Sequence, residues 1–198
     1  VDGVTELLMA MSPTQILWIN LVASVTLSIP LAFEILEPNA MRRSPRPANE
    51  PVFSRFIIYR LVMVAALMTA GGCGLFLWEY YRIVGTHPLT AELHALALAE
   101  AQTLCVTVVT FSQIFYLFNC RSLRDSIFAQ GVFSNPSVFA GVGILLLLQL
   151  CFTYLPQLRN LFGSAPLDIQ AWLTAALAGA IVLPAISLEK WIRKRKGW

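Results

Sequence analysis

Only 13% of the 198 residues are charged, against 57% hydrophobic, and the net charge is +3. A soluble domain carries about 25% charged residues, so this composition excludes an ordinary soluble enzyme, and it leaves no basic soluble surface for nucleic acid. Runs of about 20 predominantly apolar residues read as transmembrane helices, which makes the predicted fold all-α: a polytopic membrane helix bundle with about five transmembrane helices.

Residues 1–11 read as a truncated outer N-terminal segment. Asp2 and Glu6 stand where a signal peptide would need a basic start. The bundle is expected over 12–198, with spans at about 14–33, 56–79, 95–118, 136–155 and 169–188. The first span carries Asn20, Ser24 and Ser28 at every fourth position, hence on one helical face. A polar group costs several kcal/mol in hydrocarbon unless it is paired, so that face is expected to meet other helices or an ion. Pro30 lies near the end of this span and removes the amide that would bond the Thr26 carbonyl. A carbonyl freed in this way either marks a simple kink or lines a cavity.

Pro38, Pro45, Pro47 and Pro51 stop any helix between the first two spans. The second span carries Ala66, Ala70 and Gly74, a small-residue stripe that suits close helix packing, and Ala171, Ala175 and Gly179 repeat the pattern on the fifth. Gly85 and Pro88 mark the loop before the third span, where Glu100, Thr103, Thr107 and Thr110 share a face and Gln113 follows one turn on. Threonines often bond back to their own helix, whereas Glu100 and Gln113 each need a partner. Asn135-Pro136 opens the fourth span, with proline at a first-turn position. Pro156, Gly163 and Pro166 fill the loop before the last.

Orientation follows from basic residues in short loops and at helix ends, whose excess marks the cytoplasm. Of 14 Lys and Arg, all but Arg82 and Arg159 fall on the side of the 34–55 loop, the 119–135 loop and the C-terminus. That side, and the C-terminus with it, is predicted to be cytoplasmic. Cys73, Cys105, Cys120 and Cys151 lack metal-knuckle spacing and read as apolar filler. His87 and His94 read as interface residues near the outer end of the third span.

Taken together, these segments resemble a family. QILWINLV (Gln15–Val22) and LAFEILEPNAMRRSPR (Leu31–Arg46) are similar to the sixth membrane helix and following loop of P-type cation-transporting ATPases, which typically read QILWVNLVTDG and LGFEPPEPDIMRRPPR. AQTLCVTVVTFSQIFYLFNCRS (Ala101–Ser122) resembles that family's eighth helix, and SLEKWIRKR (Ser187–Arg195) the close of its tenth. The five spans then correspond to the sixth to tenth helices, the C-terminal transmembrane domain. The resemblance implies that Asn20, Ser24 and Gln113 line part of an ion site. It also implies ATP and Mg²⁺ as cofactors of the full pump, with none in this chain, and as partners the lipid bilayer, a transported cation, and the pump's remaining membrane helices and cytoplasmic domains. A bacterial inner membrane is the expected location.

The chain departs from the family pattern at the ligands. The aspartate of VTDG is replaced by Ser24, and the eighth-helix glutamate of calcium pumps aligns with Gln113. Hard divalent cations favour several anionic oxygens, so the resemblance does not carry high-affinity calcium binding to these positions. A proton, a monovalent cation or a metal held mainly by other helices remains open. The sequence contains no DKTGT, TGE or GDGxND motif, and without the aspartyl nucleophile no phosphoenzyme can form. No catalytic residue is expected here, and the chain alone is expected to be inactive. The alternative is a stand-alone, non-enzymatic membrane subunit or small channel that reuses the bundle.

Overall fold

The computed structural model describes residues 8–34, 55–85, 90–121 and 135–195. The arginine- and proline-rich loop, His87, Arg124 and Lys196 lie outside the described residues. Seven helices are described: α1 Pro13–Ala32, α2 Arg55–Val84, α3 Ala91–Cys120, α4 Pro136–Tyr154, α5 Pro156–Phe162, α6 Ile169–Ala180 and α7 Val182–Arg195. With α6 and α7 counted together, five are long and apolar enough to cross a membrane. The protein is an all-helical, multi-pass membrane bundle.

Local chemistry sets the helix starts. Ser12 caps α1 in a reciprocal capping box: its hydroxyl accepts from the Gln15 amide, and the Gln15 side chain accepts from the Ser12 amide at 3.1 Å. Asn135 caps α4 ahead of Pro136, Thr90 caps α3, and Asp168 caps α6. The last span is broken where the sequence suggested one continuous helix. Pro184 has no amide to bond the Ala180 carbonyl, and α6 ends at that residue, with a turn at Ile181 before α7 begins.

Helix α3 runs through the middle, with 61% of its apolar stretch buried against 17–33% for the other four spans. It packs on α2, α6, α7, α1 and α4, while α1 lies against α4. The predicted small stripe on the last span is the α6–α3 contact: Ala171, Ala175 and Gly179 are buried, and a Cβ on Gly179 would fall 2.8 Å from the Ser112 amide. The stripe predicted on the second span does not pack this way. Ala66, Ala70 and Gly74 are exposed, and α2 instead brings Gly72 against the Cys105 sulfur. Half a turn separates the two faces, which small-residue spacing alone cannot tell apart.

Alternating helix direction gathers polar groups at two ends. At the basic end Arg60 donates to Glu189 at 2.7 Å, and Lys190 donates to the Asn119 carbonyl at 3.0 Å, tying α2, α3 and α7 together. At the opposite end the Gln15 side-chain amide donates to the Phe162 carbonyl, and Trp18 stacks on Phe152 and packs tilted against Phe162. His94 sits edge-on to Tyr80 there, a packing contact.

Candidate functional site

A groove of about 230 Å³ lies between α1 and α3. Its walls are Ala23, Leu27, Leu31 and Leu117, and its polar lining is Ser24, Ser28, Gln113, Tyr116 and Cys120. Two of the three candidate ion-site residues, Ser24 and Gln113, therefore face one another across a shared space. Asn20 lies one turn further toward the opposite end on the same face of α1. It is exposed and outside this lining. Ser24 and Ser28 are also exposed, so the polar face of α1 is covered by no described helix of this chain.

Gln113 supplies the most telling atom. Its Oε1 is buried and accepts no hydrogen bond among the described residues. A buried acceptor left without a partner costs about 1–3 kcal/mol, and native proteins carry few of them. Every polar group of the groove is a neutral oxygen, nitrogen or sulfur. Such a lining can solvate a cation or water by dipoles, and it offers no carboxylate.

The remaining polar residues of α3 serve structure. Thr103, Thr107 and Thr110 each donate back to the carbonyl four residues earlier, at 2.7–2.9 Å, as their type suggested. Thr107 also accepts from Gln149 of α4 at 3.1 Å, and Thr103 accepts from the Ala165 amide at 2.9 Å. Glu100 is half-buried near the opposite end, close enough to Glu79, Arg82 and Asp168 to interact electrostatically, and far from the groove. Tyr116 and Cys120 were not among the candidates from sequence. Their spacing of three and seven from Gln113 is the signal that could have found them.

Below the groove, at the basic end, α1 is anchored by charge. Arg121 donates twice to Glu34, at 3.1 and 3.0 Å, and Asn135 donates to both Glu34 and the Pro30 carbonyl, at 2.9 and 3.2 Å. Burial raises the Glu34 pKa, but the Arg121 and Asn135 hydrogen bonds and the Arg121 charge outweigh it and hold the carboxyl below its ordinary value. Pro30 itself is packed within α1. The Thr26 carbonyl and the proline ring sit against Gly141 of α4, where a side chain would collide with both.

The family described as "Cation transporting ATPase, C-terminus" matches residues 8–192. The chain belongs to this family. It is 36% identical over 172 residues, 86% of its own length, to the "Probable cation-transporting ATPase F" of Mycobacterium tuberculosis. It is 32% identical over 191 residues, 92% of its length, to the "Calcium-transporting ATPase 1" of Bacillus cereus. A mouse protein named "Calcium-transporting ATPase type 2C member 2" is 28% identical over 178 residues, 89% of the chain. The chain spans 18–21% of the length of these cation-transporting ATPases, and its bundle is the C-terminal membrane domain of the P-type cation-transporting ATPases. Among the described residues no three His, Cys, Asp or Glu side chains gather as a metal-binding group.

Proposed function

We propose that this domain serves an ATP-driven cation pump, with Asn20, Ser24 and Gln113 lining part of its ion path. One observation carries the reading: Ser24 and Gln113 share one groove, and the buried Gln113 oxygen has no partner among the described residues. The basic end is cytoplasmic in this reading, because twelve of the 14 Lys and Arg fall on that side. ATP and magnesium would be held by other parts of such a pump, since the sequence has no phosphorylation motif. A groove of neutral donors favours a weakly hydrated monovalent cation, or a metal whose anionic ligands come from other helices.

The test is phosphoenzyme formation from labelled ATP in the pump containing this chain, titrated in turn with calcium chloride, manganese chloride, sodium chloride and potassium chloride. Asn20→Ala and Gln113→Ala should raise the half-saturating concentration of the stimulating cation and leave that of ATP in place. An unchanged cation dependence in both variants would leave α1 and α3 with a purely structural role. The alternative of a stand-alone subunit predicts that no protein encoded with this chain, contiguous or split, carries DKTGT and GDGxND.

A further inference from the structure

We propose that Glu34, Arg121 and Asn135 form a latch at the basic end that fixes α1 against α3 and so sets the width of the groove between Ser24, Ser28 and Gln113. Its consequence for cation affinity rests on the ion-path reading above; the mechanical claim does not. None of the three residues lines the groove, so they are positioning residues.

The geometry is over-determined for a chance surface pair. The Arg121 and Glu34 side chains are only 3% and 13% exposed, so both charges have left water. A buried ion pair gains little net stability, since desolvation costs several kcal/mol per ion, and its best-attested use is to select one arrangement among several. A two-pronged guanidinium–carboxylate contact demands one mutual orientation. Asn135 adds a third tie: its amide nitrogen reaches Glu34 and the Pro30 carbonyl, while its oxygen caps α4 by accepting from Ser137 at 3.0 Å. The ends of α1 and α3 and the start of α4 meet at this cluster.

The latch sits close to what it would control. Ser28 and Glu34 are six positions apart and Gln113 and Arg121 eight, about 9 and 12 Å along the helices respectively. Behind α1, Gly141 presses on the Thr26 carbonyl and the Pro30 ring, so α1 cannot retreat toward α4. In front of it, Leu27 and Leu117 belong to one packed cluster. Loss of the latch removes the only charged tie described between α1 and α3, and the end of α1 can then pivot on the Gly141 contact and open the groove.

The groove supplies its own reporter, because Ser28 and Cys120 both line it. In the chain reconstituted in nanodiscs, with Cys73, Cys105 and Cys151 changed to alanine, Ser28→Cys should cross-link to Cys120 with a short bifunctional thiol reagent. Glu34→Gln and Asn135→Ala should each slow this reaction by roughly fivefold or more, the low end of measured couplings between sites. The double variant Glu34→Gln/Arg121→Gln should lose less than the product of the two single losses, because each single change strands a buried partner. An unchanged cross-linking rate in the folded variants overturns the latch. Should Glu34→Gln fail to accumulate, Asn135→Ala, which keeps the ion pair, decides alone.

The pump-level reading is separate. With calcium chloride or sodium chloride as the probe, whichever stimulates phosphorylation, Asn135→Ala should raise the half-saturating salt concentration roughly fivefold or more at unchanged ATP dependence. If Gln113→Ala leaves cation dependence unmoved while cross-linking responds to Asn135→Ala, the ion-path reading falls and the latch stands. If cross-linking is unmoved, the latch falls whatever Gln113 does.

Discussion

Gly141 of α4 lies against the carbonyl of Thr26, the acceptor that Pro30 deprives of its helical donor. The proline of α1 and the glycine of α4 are thus two halves of one fit. A Cβ at Gly141 would overlap both the carbonyl oxygen and the proline ring, and neither can swing aside as a flexible side chain could.

Gly141→Ala should therefore destabilise the bundle by about 1–3 kcal/mol, the usual cost of overpacking. Gly74→Ala is the contrasting change, because nothing lies within 4 Å of its added methyl. It should be neutral or stabilise the bundle by up to about 1 kcal/mol, the propensity gain of alanine over glycine inside a helix. Thermal unfolding in one detergent checks both, and equal effects would contradict the packing described for Gly141.

Glu34 gives the stability a pH dependence of defined sign. Its folded pKa lies below the ordinary value, with hydrogen bonds from Arg121 and Asn135 outweighing the effect of burial. A carboxylate depressed in this way contributes stability that is fully present above its unfolded pKa, about 4.3, and is lost as the pH falls through the folded one. The unfolding midpoint of the parent should exceed that of Glu34→Gln near neutrality, and the gap should close with acidification. A gap that widened in acid would mean that Glu34 is already protonated in the fold.

Much of the architecture was legible because long apolar runs have few alternatives. Asn135-Pro136 was also written plainly, whereas the unbroken apolar run over 169–188 hid the break that Pro184 makes at the carbonyl four residues earlier. Direction was harder to read. The stripes at Ala66 and Ala171 have the same spacing, yet among the described residues the second packs on a neighbour and the first is exposed, since spacing fixes a face without naming what it faces. Gln15 illustrates the same limit. It belongs to the QILW segment that carries the family resemblance, and its observed work is to cap α1 and hold the Phe162 carbonyl. The Glu34–Arg121 pair joins residues 87 positions apart, and no local pattern announces it.

Topology is tested by labelling single cysteines with an impermeant thiol reagent. Ser164 is a poor reporter, because it is 6% exposed and its hydroxyl donates to the Phe152 carbonyl. Asn160 of α5 is exposed at the same end of the bundle and serves better. Cysteines at Ser44 and Asn160, in a background without native cysteines, should label from opposite sides, with Ser44 cytoplasmic. Labelling of both from one side would overturn the orientation taken from the basic residues.

Gln113 offers the sharpest separation of function from stability. Its buried Oε1 lacks a partner among the described residues, a state that costs about 1–3 kcal/mol. Gln149 Oε1 and the Asn119 side-chain amide are orphaned in the same way among the described residues, so what sets Gln113 apart is its place in the groove. Gln113→Leu fills similar volume without the polar group, so the isolated chain should unfold at the same or a higher temperature. The pump carrying that change should respond more weakly to its cation. Such a pairing of gained stability with lost function is the usual mark of a site residue. Gln149→Leu is the comparison, because Gln149 also has a buried Oε1 without a partner among the described residues, yet it lies outside the groove and donates to Thr107 at 3.1 Å between α4 and α3. It should leave the cation response in place. A Gln113→Leu chain that unfolds well below the parent would identify Gln113 as scaffold and remove it from the ion path.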